Sequence, residues 1–266
     1  MFKGHYDSMR PGPTPERVRA VCRLLDGKQY TEDEIKEYIY LDKTAATKIG
    51  EEFKRSLQAA LELNLISFKD NLYTLSVDAN QIETVEAFRR TVASRAFANR
   101  DSTFYRVSRW YINANEAVFD ALNWEDKAAL ANKSLGDKKL TDNDMLGWRF
   151  WASFLGLGYL YGTELIPNMY LRVRDVLATE FSKTFSFNEP IPVHDFFGWI
   201  RKKVPEARTD DESINLALSS AIRTLREMGD VDPVFYSDAS PMYLYKLSGD
   251  TTNRITHIIV KETVCK

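Results

Sequence analysis

Histidine and cysteine are the residue types that most often build metal and redox centres, and this chain has few of either. His5, His194 and His257 are scattered along 266 residues, and no two of them have the i, i+4 spacing of a metal site on a helix. Cys22 and Cys265 have no partner at metal-binding or redox spacing. The sequence therefore predicts no metal site, no cofactor and a protein that is not an enzyme.

Three short segments resemble catalytic motifs only superficially. The glycine-rich segment 156–162 (GLGYLYG) lacks the GxGxxG spacing, the P-loop lysine and a preceding strand, so we interpret its glycines as small residues that let aromatic helices pack closely. The triplets 34–36 and 52–54 match the E-x-K end of some nuclease sites, but both fall on predicted helices without a supporting strand. A catalytic role completed in a complex is left open.

Basic and hydroxyl side chains could instead bind DNA phosphates. The first candidate set of DNA-contacting residues lies mainly at the start of the helix that is predicted after Asp42. Lysine and threonine side chains there can donate hydrogen bonds to phosphates and base edges. Glu51, Glu52 and Glu62 oppose them on the same helix, and residues 1–80 hold 12 basic and 13 acidic side chains. A solvated helix face is therefore the alternative interpretation. The set comprises Lys43, Thr44, Thr47, Lys48 and Arg55.

A run of six arginines forms the second candidate set, opposed by only three carboxylates over residues 81–110. Guanidinium groups suit bidentate contacts with phosphates, and the neighbouring Tyr105 and Trp110 are expected to stack on bases or on the arginines. In the alternative, the arginines pair with acidic side chains of the flanking domains. The set comprises Arg89, Arg90, Arg95, Arg100, Arg106 and Arg109.

A mainly helical scaffold must position these side chains. The chain is 44% hydrophobic and has 12 Gly and 9 Pro, so helix breakers are scarce and the length favours about two domains. Because the net charge of −2 gives no long-range attraction to nucleic acid, DNA binding must come from a local patch. The apolar stretch 145–161 is slightly short for a membrane span and contains Arg149, which predicts a buried central helix in a cytoplasmic protein.

Residues 15–80 are predicted to form three helices and a hairpin, after a mobile arm over residues 1–14. Thr31 and Glu34 fit a capping box at the start of the second helix. The third helix leads into the segment 61–76 (LELNLISFKDNLYTLS), which predicts a strand, a tight turn and a strand. This order resembles the winged-helix variant of the helix-turn-helix, and the resemblance implies that the third helix enters the major groove of double-stranded DNA.

The same order recurs over residues 169–250, followed by a C-terminal strand or tail over residues 251–266. Three helices there are predicted to lead into a hairpin with strands at 234–236 and 242–245. The third of these helices opens with three consecutive acidic residues from Asp210, whose carboxylates would repel a duplex. The resemblance therefore implies a second winged helix that serves dimerisation or partner binding.

Residues 81–168 lie between the two winged helices and are too many for a linker, which predicts a helical middle domain. We expect a long helix over residues 85–110, a shorter one around residues 117–131 and an aromatic helix near Trp148. The aromatic cluster that includes Trp148 and Trp151 is interpreted as core packing. If the cluster instead binds a small ligand, the protein would be a ligand-responsive transcription regulator.

These features predict a mainly α protein with small β-hairpins, in which tandem winged-helix domains are separated by a helical domain. The pattern resembles accessory proteins of bacterial DNA-processing and antiviral, phage-defence systems. This implies a non-catalytic role in which the first winged helix or the arginine-rich segment binds DNA and the second holds a protein partner. The main alternative is a protein-only scaffold resembling the winged-helix subunits that clamp the kleisin chain of condensin-like complexes. A homodimer is also left open.

Overall fold

The computed structural model is mainly helical with small antiparallel sheets of two or three strands, as the sequence predicts. It describes residues 11–39, 46–121, 123–136, 140–208, 213–247 and 253–265, with the side chains of residues 46–52 outside this description.

The chain divides into two compact units. The N-terminal unit comprises the described residues of Met1–Val107 and Ala121–Leu155, and the C-terminal unit comprises those of Ser108–Asp120 and Gly156–Lys266. Residues 81–168 therefore contribute to both units, because the chain leaves the N-terminal unit after residue 107, returns to it at residue 121 and leaves it again after residue 155.

The N-terminal unit begins with three helices and three strands, in the order that the sequence predicts apart from one additional short strand. Pro15 occupies the first turn of the first helix. The capping box of the second helix is confirmed, because the Glu34 carboxylate accepts from Thr31 N at 2.8 Å and Thr31 Oγ1 accepts from Glu34 N at 3.3 Å. The elements are α1 (Pro15–Leu24), β1 (Gln29–Tyr30), α2 (Glu32–Ile39), α3 (Ala46–Glu62), β2 (Ile66–Lys69) and β3 (Leu72–Leu75).

The predicted hairpin is confirmed as β2 and β3. Asp70 and Asn71 form its two-residue turn with φ of 52° and 64°, the left-handed conformation that tight hairpins require. Strand β1 also pairs with β3, with Tyr30 opposite Tyr73, and the sheet order is β1-β3-β2. The sequence did not predict β1, because two residues are too few to show an alternating pattern.

Five more helices complete the described scaffold as far as Leu155. The single helix predicted over residues 85–110 is wrong, because the chain leaves the helix at Ala96 and Ser102 Oγ then accepts from Tyr105 N at 3.1 Å to start a new one. The helix expected around residues 117–131 begins only at Trp124. The helices are α4 (Asn80–Glu83), α5 (Val85–Ala96), α6 (Thr103–Asn113), α7 (Trp124–Leu135) and α8 (Asp142–Phe154). The boundary between the N-terminal and C-terminal units falls within α6.

The core of the N-terminal unit joins its first helices to α8. Cys22 and Leu57 are buried, and Trp148 and Trp151 are 0% and 1% exposed. The Trp151 indole N–H donates to Pro13 O at 2.6 Å, which satisfies its one polar group. This burial supports core packing for Trp148 and Trp151, whereas Tyr159 and Tyr161, which the prediction placed in the same aromatic cluster, are exposed. Burial also raises the pKa of the Cys22 thiol to about 12.

The C-terminal unit contains the end of α6 and then one hairpin, three helices and five further strands. In chain order these elements are β4 (Gly158–Tyr161), β5 (Glu164–Pro167), α9 (Tyr170–Glu180), β6 (Pro190–Pro192), α10 (Val193–Lys203), α11 (Leu216–Glu227), β7 (Val231–Val234), β8 (Met242–Tyr243), β9 (Arg254–Ile255) and β10 (His257–Val260).

The interpretation of the glycine-rich segment 156–162 as helix packing is wrong for Gly158 and Gly162, which belong to a hairpin. Gly156 does approach a helix closely, because a Cβ atom there would lie 2.5 Å from Arg172 N of α9. Helix α8 ends at Phe154, which also shortens the buried helix predicted over residues 145–161, and the chain then forms the β4–β5 hairpin. A Cβ atom on Gly158 would lie 2.4 Å from Ile166 O on β5, so the pairing of these strands requires glycine there. In the described part of the chain, no helix combines the length and apolar character of a membrane span.

A three-stranded sheet of order β6-β10-β7 closes the C-terminal unit. The predicted pairing of residues 234–236 with 242–245 is wrong, because β7 pairs with β10 whereas β8 pairs with β9. Ile258 and Val260 of β10 are fully buried, so the central strand is the more apolar one. If the separate β8–β9 ribbon is set aside, both units contain the order helix, strand, helix, helix, strand, strand, and the last strand lies between the other two in the sheet.

Candidate nucleic-acid interface

The N-terminal end of α3 carries two of the five residues of the first predicted set. Lys43 and Thr44 lie outside the described residues. Thr47 and Lys48 lie within α3, but their side chains are outside the description. The structure therefore confirms a helix at the position from which Thr47 and Lys48 would act, and their DNA contacts stay a prediction.

The later turns of α3 expose one cation. Lys54 and Gln58 are exposed four residues apart, whereas Arg55 is half-buried. The buried carboxylate of Glu62 accepts from Gln58 Nε2 at 3.1 Å, so one of the acidic groups expected to oppose DNA is removed from the surface. Lys69, at the end of β2, is also exposed.

The six arginines of the second set differ in exposure and location. Arg90 and Arg100 are exposed on the N-terminal unit, whereas Arg89 is 8% exposed. Arg109 belongs to the C-terminal unit. Tyr105, which the sequence suggested as a stacking partner, is buried, and this removes it as a platform for bases.

Two arginines of this set bind the carboxyl ends of helices. Arg95 Nη1 donates to Leu63 O at 2.8 Å and also to Asn64 O, immediately after α3 ends. Arg106 Nη2 donates to Leu135 O at 2.7 Å at the end of α7. The last carbonyls of a helix have no intrahelical donor, and an arginine satisfies them while opposing the helix dipole. Partial burial of Arg95 lowers its pKa from the ordinary value.

Helix α11 occupies in the C-terminal unit the same place in the element order as α3 in the N-terminal unit. Its first four residues, 216–219, are between 0% and 6% exposed. A helix that reads DNA must present its N-terminal side chains to the major groove. The beginning of α11 is therefore unable to do so in this conformation.

Three asparagines hold the N-terminus of α11 inside the C-terminal unit. Asn115 Oδ1 accepts from Leu216 N at 2.8 Å, and Asn215 Oδ1 accepts from Leu218 N at 2.9 Å. Asn215 Nδ2 in turn donates to Asn113 Oδ1 at 2.8 Å. These bonds satisfy two helix N–H groups that would otherwise be available to a phosphate. Sequence reasoning missed them, although asparagine before a helix is a known capping signal.

The sequence model of the DpdG-like family matches residues 9–239, which is most of the chain. The chain belongs to the DpdG-like family. This family is associated with DNA modification and phage defence. No curated protein and no solved structure matches the chain.

The histidines of this DpdG-like chain lie apart in its element order. His194 is exposed near the start of α10, His257 begins β10, and His5 lies outside the described residues. Within the described ranges, no three His, Cys, Asp or Glu side chains are grouped as a metal site requires. That the chain is not an enzyme stays a prediction.

Proposed function

We propose that this DpdG-like protein is a non-catalytic accessory subunit of a DNA-modification or phage-defence system. The N-terminal unit binds double-stranded DNA, and the C-terminal unit binds a protein of the same system. Membership of the family supports the association with DNA. The observation that supports this assignment of roles is the burial of the first turn of α11, which favours the N-terminal unit as the one that reads a duplex.

In this proposal the two repeated arrangements are winged helices. Each has three helices and a three-stranded sheet whose last strand is central, as β1-β3-β2 and β6-β10-β7 show. The winged-helix order places α3 in the position of the helix that enters the major groove. The β2–β3 hairpin, with exposed Lys69, follows it directly.

The duplex contacts are assigned to cations that are exposed on the N-terminal unit and to two lysines that the sequence places at the start of α3. Lys54, Lys69 and Arg100 are exposed, and the sequence adds Lys43 and Lys48 at the start of α3. Arg90 is also exposed. Arg95 and Arg106 are not assigned to the duplex contacts, because each already donates to main-chain carbonyls. Their role in the proposal is to hold helix ends in place.

The experiment is fluorescence anisotropy of a labelled random-sequence duplex at several salt concentrations. Two double variants separate the two surfaces: Lys48→Glu with Lys54→Glu on α3, and Arg90→Glu with Arg100→Glu in the arginine-rich segment. The pair that contacts phosphates is expected to lose at least about tenfold in affinity, and the slope of log K against log salt is expected to fall by about 1 for each phosphate contact removed.

The matched control is Lys28→Glu with Lys133→Glu, which changes net charge equally at two other exposed lysines of the N-terminal unit. A specific surface predicts that this control retains most of its affinity. Equal weakening of all three double variants would mean that only net charge matters, and the proposed surfaces would then be wrong.

A protein-only scaffold is the second candidate, and the internal hydrogen bonds of Arg95, Arg106 and the α11 N-terminus favour it. A scaffold predicts no salt-dependent duplex binding and a stable complex with the products of neighbouring genes on co-purification. Light scattering of the isolated protein tests the homodimer in the same preparation.

A further inference from the structure

The connection between β7 and β10 differs sharply from its counterpart in the N-terminal unit. Two residues join β2 to β3, whereas residues 235–256 join β7 to β10 and include the β8–β9 ribbon. This connection exposes three aromatic side chains, since Phe235 is 47%, Tyr236 44% and Tyr243 56% exposed. Side chains of this size are usually buried in a monomer, so their grouping in one short connection suggests a binding surface.

An arginine stacks on one of these rings and pairs across the ribbon with the residue that carries another. The Arg254 guanidinium lies over the Phe235 ring at 4.5 Å from its centroid, and Arg254 is the cross-strand partner of Tyr243 in the β8–β9 ribbon. Arg254 is exposed, and no residue in the described part of the chain accepts a hydrogen bond from its guanidinium. The guanidinium thus has one face on an aromatic ring while its N–H donors remain available to a ligand.

A second ring contact lies next to the first in the sequence. Tyr236 packs edge-on against His257 with ring centroids 4.9 Å apart. Lys246 is exposed nearby in the chain, and Asp238 is the acidic residue within the described part of the connection, while Asp250 lies outside it. We define the aromatic patch as Phe235, Tyr236, Tyr243, Arg254 and His257.

We propose that the aromatic patch binds single-stranded nucleic acid. Exposed rings can stack on unpaired bases, while the free edge of Arg254 donates to a phosphate; this combination is what single-strand sites use. A duplex offers the phosphates but keeps its base faces stacked, so the rings favour a single strand over a duplex. This inference does not rest on the duplex surface of the N-terminal unit.

The test measures binding of the full-length protein to fluorescein-labelled (dT)15 and to a 15-base-pair duplex. Arg254→Ala and Tyr243→Ala are each expected to weaken (dT)15 binding by roughly tenfold, since stacking contributes about 1–3 kcal/mol per base, and to leave duplex binding unchanged. Arg90→Glu with Arg100→Glu is expected to do the reverse if the duplex proposal holds.

Tyr161→Ala is the matched control, because Tyr161 is 75% exposed on the β4–β5 hairpin of the same unit but lies outside the aromatic patch. It should bind (dT)15 like the unaltered protein. Circular dichroism confirms that each variant is folded, and Phe235→Leu provides a second, milder variant of the patch. The proposal is wrong if the protein does not bind (dT)15, or if Tyr161→Ala weakens binding as much as Arg254→Ala. If the aromatic patch instead binds a protein, no binding to (dT)15 is expected.

Discussion

The role of Arg95 in the structure differs from the role that the sequence suggested. In the sequence it is one of six arginines suited to phosphate contacts, but in the structure it donates to Leu63 O and Asn64 O beyond the end of α3. Main-chain carbonyls at a helix end need a donor, and a charged donor bonds more strongly than a neutral one. Arg95 therefore supports α3, the helix proposed to contact DNA, from its far end.

Arg95→Ala is accordingly expected to lower the free energy of unfolding by about 1–3 kcal/mol, because two carbonyls lose a charged donor. Urea denaturation followed by circular dichroism measures this. Arg100→Ala, which removes an exposed arginine of the same segment, is expected to change stability by less than about 0.5 kcal/mol. Arg95 would instead belong to the DNA surface if its replacement left stability intact and reduced duplex binding.

The β4–β5 hairpin supports a prediction at the scale of an element. A Cβ atom on Gly158 would meet Ile166 O at 2.4 Å, and a main-chain atom of the partner strand cannot move without breaking the pairing. Gly158→Ala is expected to destabilise the protein by about 2 kcal/mol or more.

Gly162→Ala is the control for that substitution, because Gly162 has φ of +57° but nothing lies within 4 Å of its would-be Cβ. Its expected cost is only the left-handed backbone penalty of about 1–2 kcal/mol. Urea denaturation of the two variants compares them directly. If Gly162→Ala proved the more damaging, the close approach at Gly158 would not be what fixes this hairpin.

Elements with strong local signals could be predicted from the sequence, and those held by distant contacts could not. The capping box at Thr31 and the Asp70-Asn71 turn lie within a few residues of the structure they form, so α2 and the first hairpin were predicted correctly. The strand β10 pairs with β7 across more than twenty residues, and an apparent nearer partner at residues 242–245 concealed this pairing. Short-range patterns contain no information on such a choice.

For the candidate interface too, some features could be predicted from local sequence and others depend on distant contacts. The residue types suited to DNA contact could be found from composition and spacing, but which arginines remain at the surface depends on carbonyls far away in sequence. Arg106 donates to Leu135 O, which lies 29 residues later in the chain. Asn215 donates to Asn113, which lies 102 residues earlier. Arg254 was not singled out from the sequence at all, because its stacking partner Phe235 lies about twenty residues earlier in the chain.

At the scale of the whole molecule, the chain does not complete one unit before starting the other. The N-terminal unit takes α7 and α8 from the chain after residue 120, and these helices add Trp148 and Trp151 to its buried side chains. Phe154 of α8 also contacts Phe88 of α5, with ring centroids 5.7 Å apart. The proposed DNA-binding unit is thus larger than its three-helix and hairpin part.

A chain truncated to residues 1–107 is therefore expected to lose cooperative unfolding, whereas residues 1–155 should retain it. Each buried tryptophan removes about 150–250 Å² from water, or roughly 4–6 kcal/mol at about 25 cal/mol per Å². Losing two of them is comparable to the total stability of about 5–15 kcal/mol of a typical domain. Thermal denaturation followed by circular dichroism compares both truncated chains with the full chain. A sharp transition for residues 1–107 near that of the full chain would show that this fragment is stable without α7 and α8, and duplex binding by it would then localise the interface to residues 1–107.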